Sequence, residues 1–366
     1  MPPRRRRSLL WLLALALLTL NALLLSAPPT WLEHVWFASV WPLWPASTAL
    51  LQTLVPWPIT VPVLLVLSLG LVVWAAWRPP RGRRVVFTIL VWTALLAASF
   101  VPAWGAAYRR VPLATTLEFA SADNQRDTLM VALEQLVERV GADAPARPLA
   151  LEADRAALDG AVAAAARCVA SADAFVSGRE VALPASVRSL PAGTLLRTGY
   201  AGISLPWLLE PHVDAGLPTA SWLAVATHEL THAAGWAREA DTDALSVLAG
   251  LRCDHPWVRY ASALHGVQLV STSLRPLVSA GSPDQARMRS ALAALPVVAH
   301  DDRAALRAAA DRWYAPTVAH AVSRVYDGYL RSQGVSDGIA DYAAAGALVG
   351  AALVACGTAG DAPWCR

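Results

Sequence analysis

Three long apolar runs dominate the first third of the chain. Leu9 to Leu25 is broken only by Thr19 and Asn21, and Ile59 to Trp77 and Val85 to Ala103 follow. Each approaches the roughly 20 residues that a helix needs to cross a bilayer, so each predicts a transmembrane helix. The links between them differ in charge. Arg4 to Arg7 precede the first run, and Arg78, Arg81, Arg83 and Arg84 lie between the second and third. The link between the first and second has Glu33 and no Arg. Cytoplasmic segments retain positive charge. That rule puts the N-terminus and the Arg78–Arg84 link inside and everything after Ala103 outside; Arg109 and Arg110 oppose it but are outnumbered. Trp31, Trp36, Trp41, Trp44 and Trp57 crowd the outer link, which predicts a segment lying along the membrane interface. The alternative for the first run is a leader cleaved near Ser26-Ala27. The side reached by the rest of the chain is then unchanged.

From about Val111 charges become frequent and the apolar spacing becomes helical. Leu117, Leu129, Leu133, Leu136 and Val140 share one face of a helix expected over Thr115–Val140. A second, Ala-rich helix is expected over Leu149–Ala170. Gly193 to Leu209 mixes β-branched, aromatic and Gly residues and reads as strand and turn. Helices are expected over Trp222–Gly235, Glu239–Leu251, Asp284–Leu295, Asp301–Tyr314 and Thr317–Ser332. Ile339–Cys356 is apolar but contains Asp341 and lacks flanking Arg on its N-side, so it reads as a packed interior helix rather than a fourth span. The chain divides into a membrane anchor, residues 1–110, with spans near 9–25, 59–77 and 85–103, and a second domain, residues 111–366.

Composition agrees with a membrane portion. The chain of 366 residues is 56% hydrophobic and only 16% charged. Its net charge of +3 gives no electrostatic footprint for a nucleic-acid partner. The expected partners are a lipid bilayer and a peptide or protein substrate; no oligomeric state is readable. Cys168, Cys253, Cys356 and Cys365 contain no Cys-x-x-Cys pair. They fit buried thiols or one or two disulfides, with Cys356 and Cys365 a local pair.

Residues 228–232 read HELTH. On a helix His228 and His232 lie one turn apart on one face, a spacing that lets two imidazoles hold one Zn²⁺. Glu229 is placed beside them to act as general base toward water at the metal. A catalytic zinc needs a third protein ligand and an open position. Gly235 can end the helix and turn the chain back, bringing in Arg238-Glu239-Ala240-Asp241-Thr242-Asp243. Glu239 is the expected third ligand and Asp241 its rival. Asp243, four residues after Glu239, is expected to hold the back nitrogen of a ligand histidine.

Other chemistry has weaker support. Histidines 34, 212, 255, 265, 300 and 320 are isolated in sequence and read as surface or satisfied core residues. One of those beyond the third run, or Tyr326 or Tyr329, could donate to an oxyanion. Gly334-Val335-Ser336-Asp337-Gly338 matches Gly-x-Ser-x-Gly, but a helix is expected before it where a nucleophile elbow needs a strand, so it reads as a polar turn. An intramembrane protease is disfavoured because HELTH lies far beyond the third apolar run.

These motifs also carry a resemblance. Trp31-Leu32-Glu33, Trp104 to Leu113, Gly202-Ile203-Ser204-Leu205-Pro206, HELTHAAGWAREADTDA, and Tyr329 to Gly334 with Gly338 and Tyr342 are similar to segments of an uncharacterised bacterial family of zincin-like membrane proteins, a domain of unknown function. Two positions depart from it: the family usually has Glu at Asp241 and Asn at Asp243. The resemblance implies a fold that is mainly α with a small β element, three transmembrane helices followed by a zincin-like, gluzincin-type metallopeptidase domain in a bacterial plasma membrane. It also implies that Gly202, Ile203, Ser204 and Leu205 form the edge strand that receives substrate. The expected function is a membrane-anchored zinc metallopeptidase hydrolysing exported proteins or peptides; the alternative is a non-hydrolytic zinc-binding assembly or sensor protein with the same fold. A transporter is disfavoured, since the three runs carry no charge inside them.

Overall fold

The computed structural model describes residues 3–55, 57–77, 81–117, 125–150 and 154–358. Among the described residues the chain is mainly helical, with one three-stranded sheet. The first helix, Pro3–Ser26, stops where Pro28 and Pro29 interrupt the backbone donor ladder. Between Leu15–Ser26 and Pro29–Val40 the direction changes by 119°. Helices Thr60–Ala76 and Arg81–Ala103 pack together, and the latter also meets the first helix, where the Asn21 amide donates to Ala98 O at 2.8 Å. Outward faces expose Leu65, Val66, Leu69, Phe87 and Leu90. Among the described residues, three helical stretches are long and apolar enough to cross a membrane: Gly82–Ala103, Arg155–Ser177 and Gly338–Cys356. The bent pair would make a fourth, and Thr60–Ala76 is a shorter apolar helix.

Two of those stretches bury a face in protein. Ile339–Cys356, expected as one helix, divides into a 3-10 helix, Gly338–Ala344, and an α-helix, Ala345–Thr358, whose Ala345, Val349, Ala352 and Leu353 pack on helices Gln125–Asp143 and Pro256–Leu274. Arg155–Ser177 buries Leu158, Ala161, Ala165 and Val169. Small Ala side chains allow close helix approach there, and Gly178, in the left-handed region, ends the helix by donating to Ala174 O. A disulfide joins Cys168 of this helix to Cys253, just past helix Glu239–Leu251. Cys356 is also disulfide-bonded; its expected partner Cys365 lies outside the described residues.

The outer link differs from the expectation of an interfacial segment. Trp44 and Trp57 stay exposed, but Leu32, Phe37 and Trp41 are buried with Trp104, Ala107, Leu209 and Ala233 in one apolar cluster. The expected division at residue 110 falls inside this cluster. The aromatic side chains are drawn inward because they fill a hollow behind the turn that follows HELTH: Trp41 lies directly against Gly235.

The sheet has strand order β1-β3-β2, with β1 Arg188–Leu190, β2 Gly202–Leu205 and β3 Glu210–Asp214. β1 runs parallel and β2 antiparallel to the central β3, so β2 is an edge strand. Glu210 of β3 is fully buried and accepts from the Ile59 and Thr60 amides and the Thr60 hydroxyl. It thereby caps helix Thr60–Ala76 from a distant strand. Arg188 donates to Gln52 O and Val55 O, clamping the same segment.

Helix Gln125–Asp143 carries the expected apolar face of Leu129, Leu133, Leu136 and Val140. The start of the helix expected over Thr115–Val140 includes 118–124, outside the described residues. Likewise 151–153 of the helix expected over Leu149–Ala170 lie outside them; the observed helix begins at Arg155. Helix Pro256–Leu274 was not expected.

Candidate metal centre

Helix Thr219–Ala233 carries HELTH. Trp222, Leu223, Ala226 and Leu230 bury its apolar face, which turns His228 and His232 toward one point. Their Nε2 atoms are 3.1 Å apart. Gly235 adopts φ 90° and closes the helix by donating to His232 O at 2.8 Å. No Cβ fits there, since it would lie 2.7 Å from Trp41 Nε1. The chain then reverses into helix Glu239–Leu251. Glu239 sits at its start, with Oε2 3.3 Å from His228 Nε2 and 3.4 Å from His232 Nε2. Ligand atoms of His228, His232 and Glu239 converge within 4.8 Å, a group able to hold a metal ion.

The back nitrogens decide what the front ones offer. His228 Nδ1 lies 2.7 Å from Asp243 Oδ1. His232 Nδ1 lies 2.6 Å from Trp236 O. Both partners only accept, so each Nδ1 carries a proton, and in the neutral ring each Nε2 presents a lone pair. Two lone pairs and a carboxylate then face one another. Oε2 of Glu239 is buried and has no hydrogen-bond partner among the described residues. Such an arrangement favours an added cation, and two imidazoles with one carboxylate form a donor set that could hold a metal ion.

The surroundings favour positive charge. Burial alone lowers the basicity of His228, but Asp243 and Glu239 outweigh it and push its pKa up. For His232 burial again opposes, and Glu239 prevails in the same direction. Glu229 is raised, with burial the main cause and the histidines opposing. Asp241 does not join the ligand group. Its carboxyl is buried beside Arg238 and the Leu113 amide, and burial pushes its pKa up to about 6.

Expected features surround the cluster. Gly202 of β2 lies against Glu229, and Ser204 Oγ donates to Glu229 O at 2.9 Å. Ile203 is exposed on the strand, and Leu205 pairs with Glu210 at its far end. The His228–His232–Glu239 cluster opens into a cavity of about 440 Å³ whose walls include Phe100, Trp104, Tyr108, Tyr200, Tyr326 and Tyr329. Tyr326 donates to Glu239 Oε1, which fixes that carboxylate. Tyr329 is pushed up to about 12, chiefly by burial, and stays protonated. Of the isolated histidines, His265 lies 3.2 Å from Asp243 Oδ1, so one carboxylate serves two rings. Gly334–Gly338 forms the polar turn expected of it. Cys168, Cys253 and Asp254 also converge, but their sulfurs are joined and offer no thiolate.

A buried ion network behind the cluster was not read from the sequence. Three successive carbonyls of the turn after HELTH each have a fixed donor: Arg179 Nη2 on Ala234 O, Arg110 Nη1 on Gly235 O, and His232 Nδ1 on Trp236 O. Asp173 holds Arg179 and the Trp236 indole, and Glu33 holds Arg110. Glu33 and Arg110 both fall in segments that carry the family resemblance. Asp173 and Arg179 had no local signal.

Fold and site together define a mainly helical chain with apolar helices of membrane-crossing length and a largely buried His-His-Glu cluster able to hold a metal ion. The chain belongs to the protein family of unknown function DUF3810, whose model matches residues 39–349. No curated protein and no solved structure matches it.

Proposed function

We propose that this chain is a membrane-anchored zinc metallopeptidase of zincin type, acting on exported proteins or peptides. The observation that carries the reading is Glu229. It is a buried carboxylate with an unpartnered oxygen, beside two converging imidazoles, under a free strand edge and facing a cavity. A purely structural metal site has no use for it.

Zinc held by His228, His232 and Glu239 supplies Lewis acidity toward a scissile carbonyl and toward water. Glu229 takes the proton of the attacking water and returns it to the leaving amine. Its raised pKa suits both transfers. An extended peptide adds to β2 through main-chain hydrogen bonds. Asp243 and Trp236 O hold the two rings, and Tyr326 holds Glu239. The charge pattern of the links puts this domain outside a bacterial plasma membrane with the N-terminus inside. The Cys168–Cys253 disulfide supports that oxidising side.

The test uses the full chain purified in detergent. Zinc per chain is measured by elemental analysis, and hydrolysis of a peptide library is followed by mass spectrometry for wild type and Glu229→Gln. Equal stoichiometric zinc in both, with hydrolysis only in wild type, is the expected result. Undiminished hydrolysis by the variant removes Glu229 from its role, and absence of stoichiometric metal removes the site.

A further inference from the structure

The metal cavity and the apolar helix Arg81–Ala103 share a wall. Phe100 and Trp104, at the end of that helix, line the same space as His232 and Glu229. Trp104 lies tilted against the His232 ring, with centroids 5.5 Å apart. The edge strand points the same way. At one end of β2, Gly202 touches Glu229. Just past its other end, the Trp207 indole donates to Ser99 Oγ at 3.1 Å, and Trp207 meets the Phe100 ring. Gln52 fastens the same turn by donating to Leu208 O at 3.0 Å. β2 therefore runs from the general base to the part-buried last turns of an apolar helix whose earlier turns are mostly exposed. The distance is short: at roughly 3.3 Å per residue, Gly202 to Trp207 spans at most about 17 Å.

We infer that the substrate is itself anchored in the bilayer and is cut in an extended stretch just outside its own apolar anchor. This rests on the peptidase reading and on helix Arg81–Ala103 lying in the membrane. A chain paired along the free edge of β2 follows the strand axis, so one of its ends arrives at the outer turns of that helix. An anchored polypeptide has its exit from the bilayer there; a soluble peptide gains nothing from that geometry. Sharing one membrane with the enzyme raises its effective concentration. The side chain beside the cut enters the cavity between Phe100, Trp104 and Tyr329, which selects a large apolar residue.

The test reconstitutes the full chain in phosphatidylcholine–phosphatidylglycerol vesicles. The probes are two synthetic peptide libraries with the same randomised segment. One carries an Ala-Leu anchor of about 20 residues and the other lacks it. Cut sites and rates are read by mass spectrometry, with Glu229→Gln as control. The inference expects the anchored library to be cut on the order of a hundredfold faster. Cuts should fall within about six residues of the anchor, given roughly 3.3 Å per residue, beside a large apolar side chain. Phe100→Ala, or Phe100→Leu if the first does not fold, should broaden that side-chain preference while cuts stay near the anchor. Equal rates for the two libraries, or cuts scattered along the segment, overturn the inference and leave the peptidase standing. Failure to cut either library above the Glu229→Gln background overturns the peptidase reading and the inference with it.

Discussion

Gly202 lies so close to Glu229 that a Cβ on the glycine would stand 2.4 Å from carboxylate oxygen Oε1. It would also meet Val225 at 2.7 Å. Glycine at this position lets the edge strand pass directly over Glu229. Gly202→Ala should displace Glu229 while leaving the metal ligands in place. A displacement near 1 Å costs about a hundredfold in rate. Steady-state kinetics on peptide substrate, with zinc content measured in parallel, check this. Loss of zinc together with rate would show that the strand supports the ligands instead.

Asp243 accepts from rings on two different helices, His228 and His265. Asp243→Ala frees the His228 ring and should weaken zinc about 10- to 100-fold. Asp243→Asn keeps an acceptor and should retain most of the affinity. Competition with a chromophoric chelator distinguishes the two variants; equal affinities would mean that the bond does not orient the ring.

Asp173 neutralises Arg179 in the interior and also receives the Trp236 indole. Asp173→Ala leaves a buried guanidinium without its partner, a loss of about 3–5 kcal/mol. The exposed pair Arg287–Glu134 provides a comparison, and Glu134→Ala should cost under about 1 kcal/mol. Thermal unfolding of both variants in the same detergent gives the ordering.

Asp302 is buried, receives the Tyr260 hydroxyl at 2.7 Å, and has its pKa raised, chiefly by burial. A raised carboxyl binds its proton more tightly folded than unfolded. Its contribution is therefore intact below the unfolded value of about 4 and is lost as pH rises from there through the folded pKa. Asp302→Asn keeps an acceptor without the charge. The variant should melt above wild type at neutral pH, with the gap closing as pH falls toward about 4. A gap independent of pH would assign the effect to packing.

Local rules account for much of the architecture. The apolar runs announced helices because bilayer length and hydropathy are properties of a segment alone. The i, i+4 spacing of His228 and His232 put both rings on one face, and Gly235 marked the reversal because a left-handed residue must close that helix. Glu239 and Asp243 followed from the same helical spacing after the reversal. Helix Pro256–Leu274 has no single apolar face in its sequence, because it packs on several sides, against Gln125–Asp143, Glu239–Leu251 and Ala345–Thr358.

What the sequence by itself determined is therefore whatever depends on near neighbours: the helices, the paired imidazoles, and the carboxylates one turn apart. Only tertiary structure decided which groups meet across distance. Arg110 and Arg179 converge on the HELTH turn, Glu210 caps a helix about 150 positions upstream, Phe37 and Trp41 are taken from the outer link into the core, and Phe100 and Trp104 form a wall of the cavity. The reason is physical: burial and pairing of these groups are set by chain closure over long separations. An arginine that will be buried carries the same local pattern as one left in water.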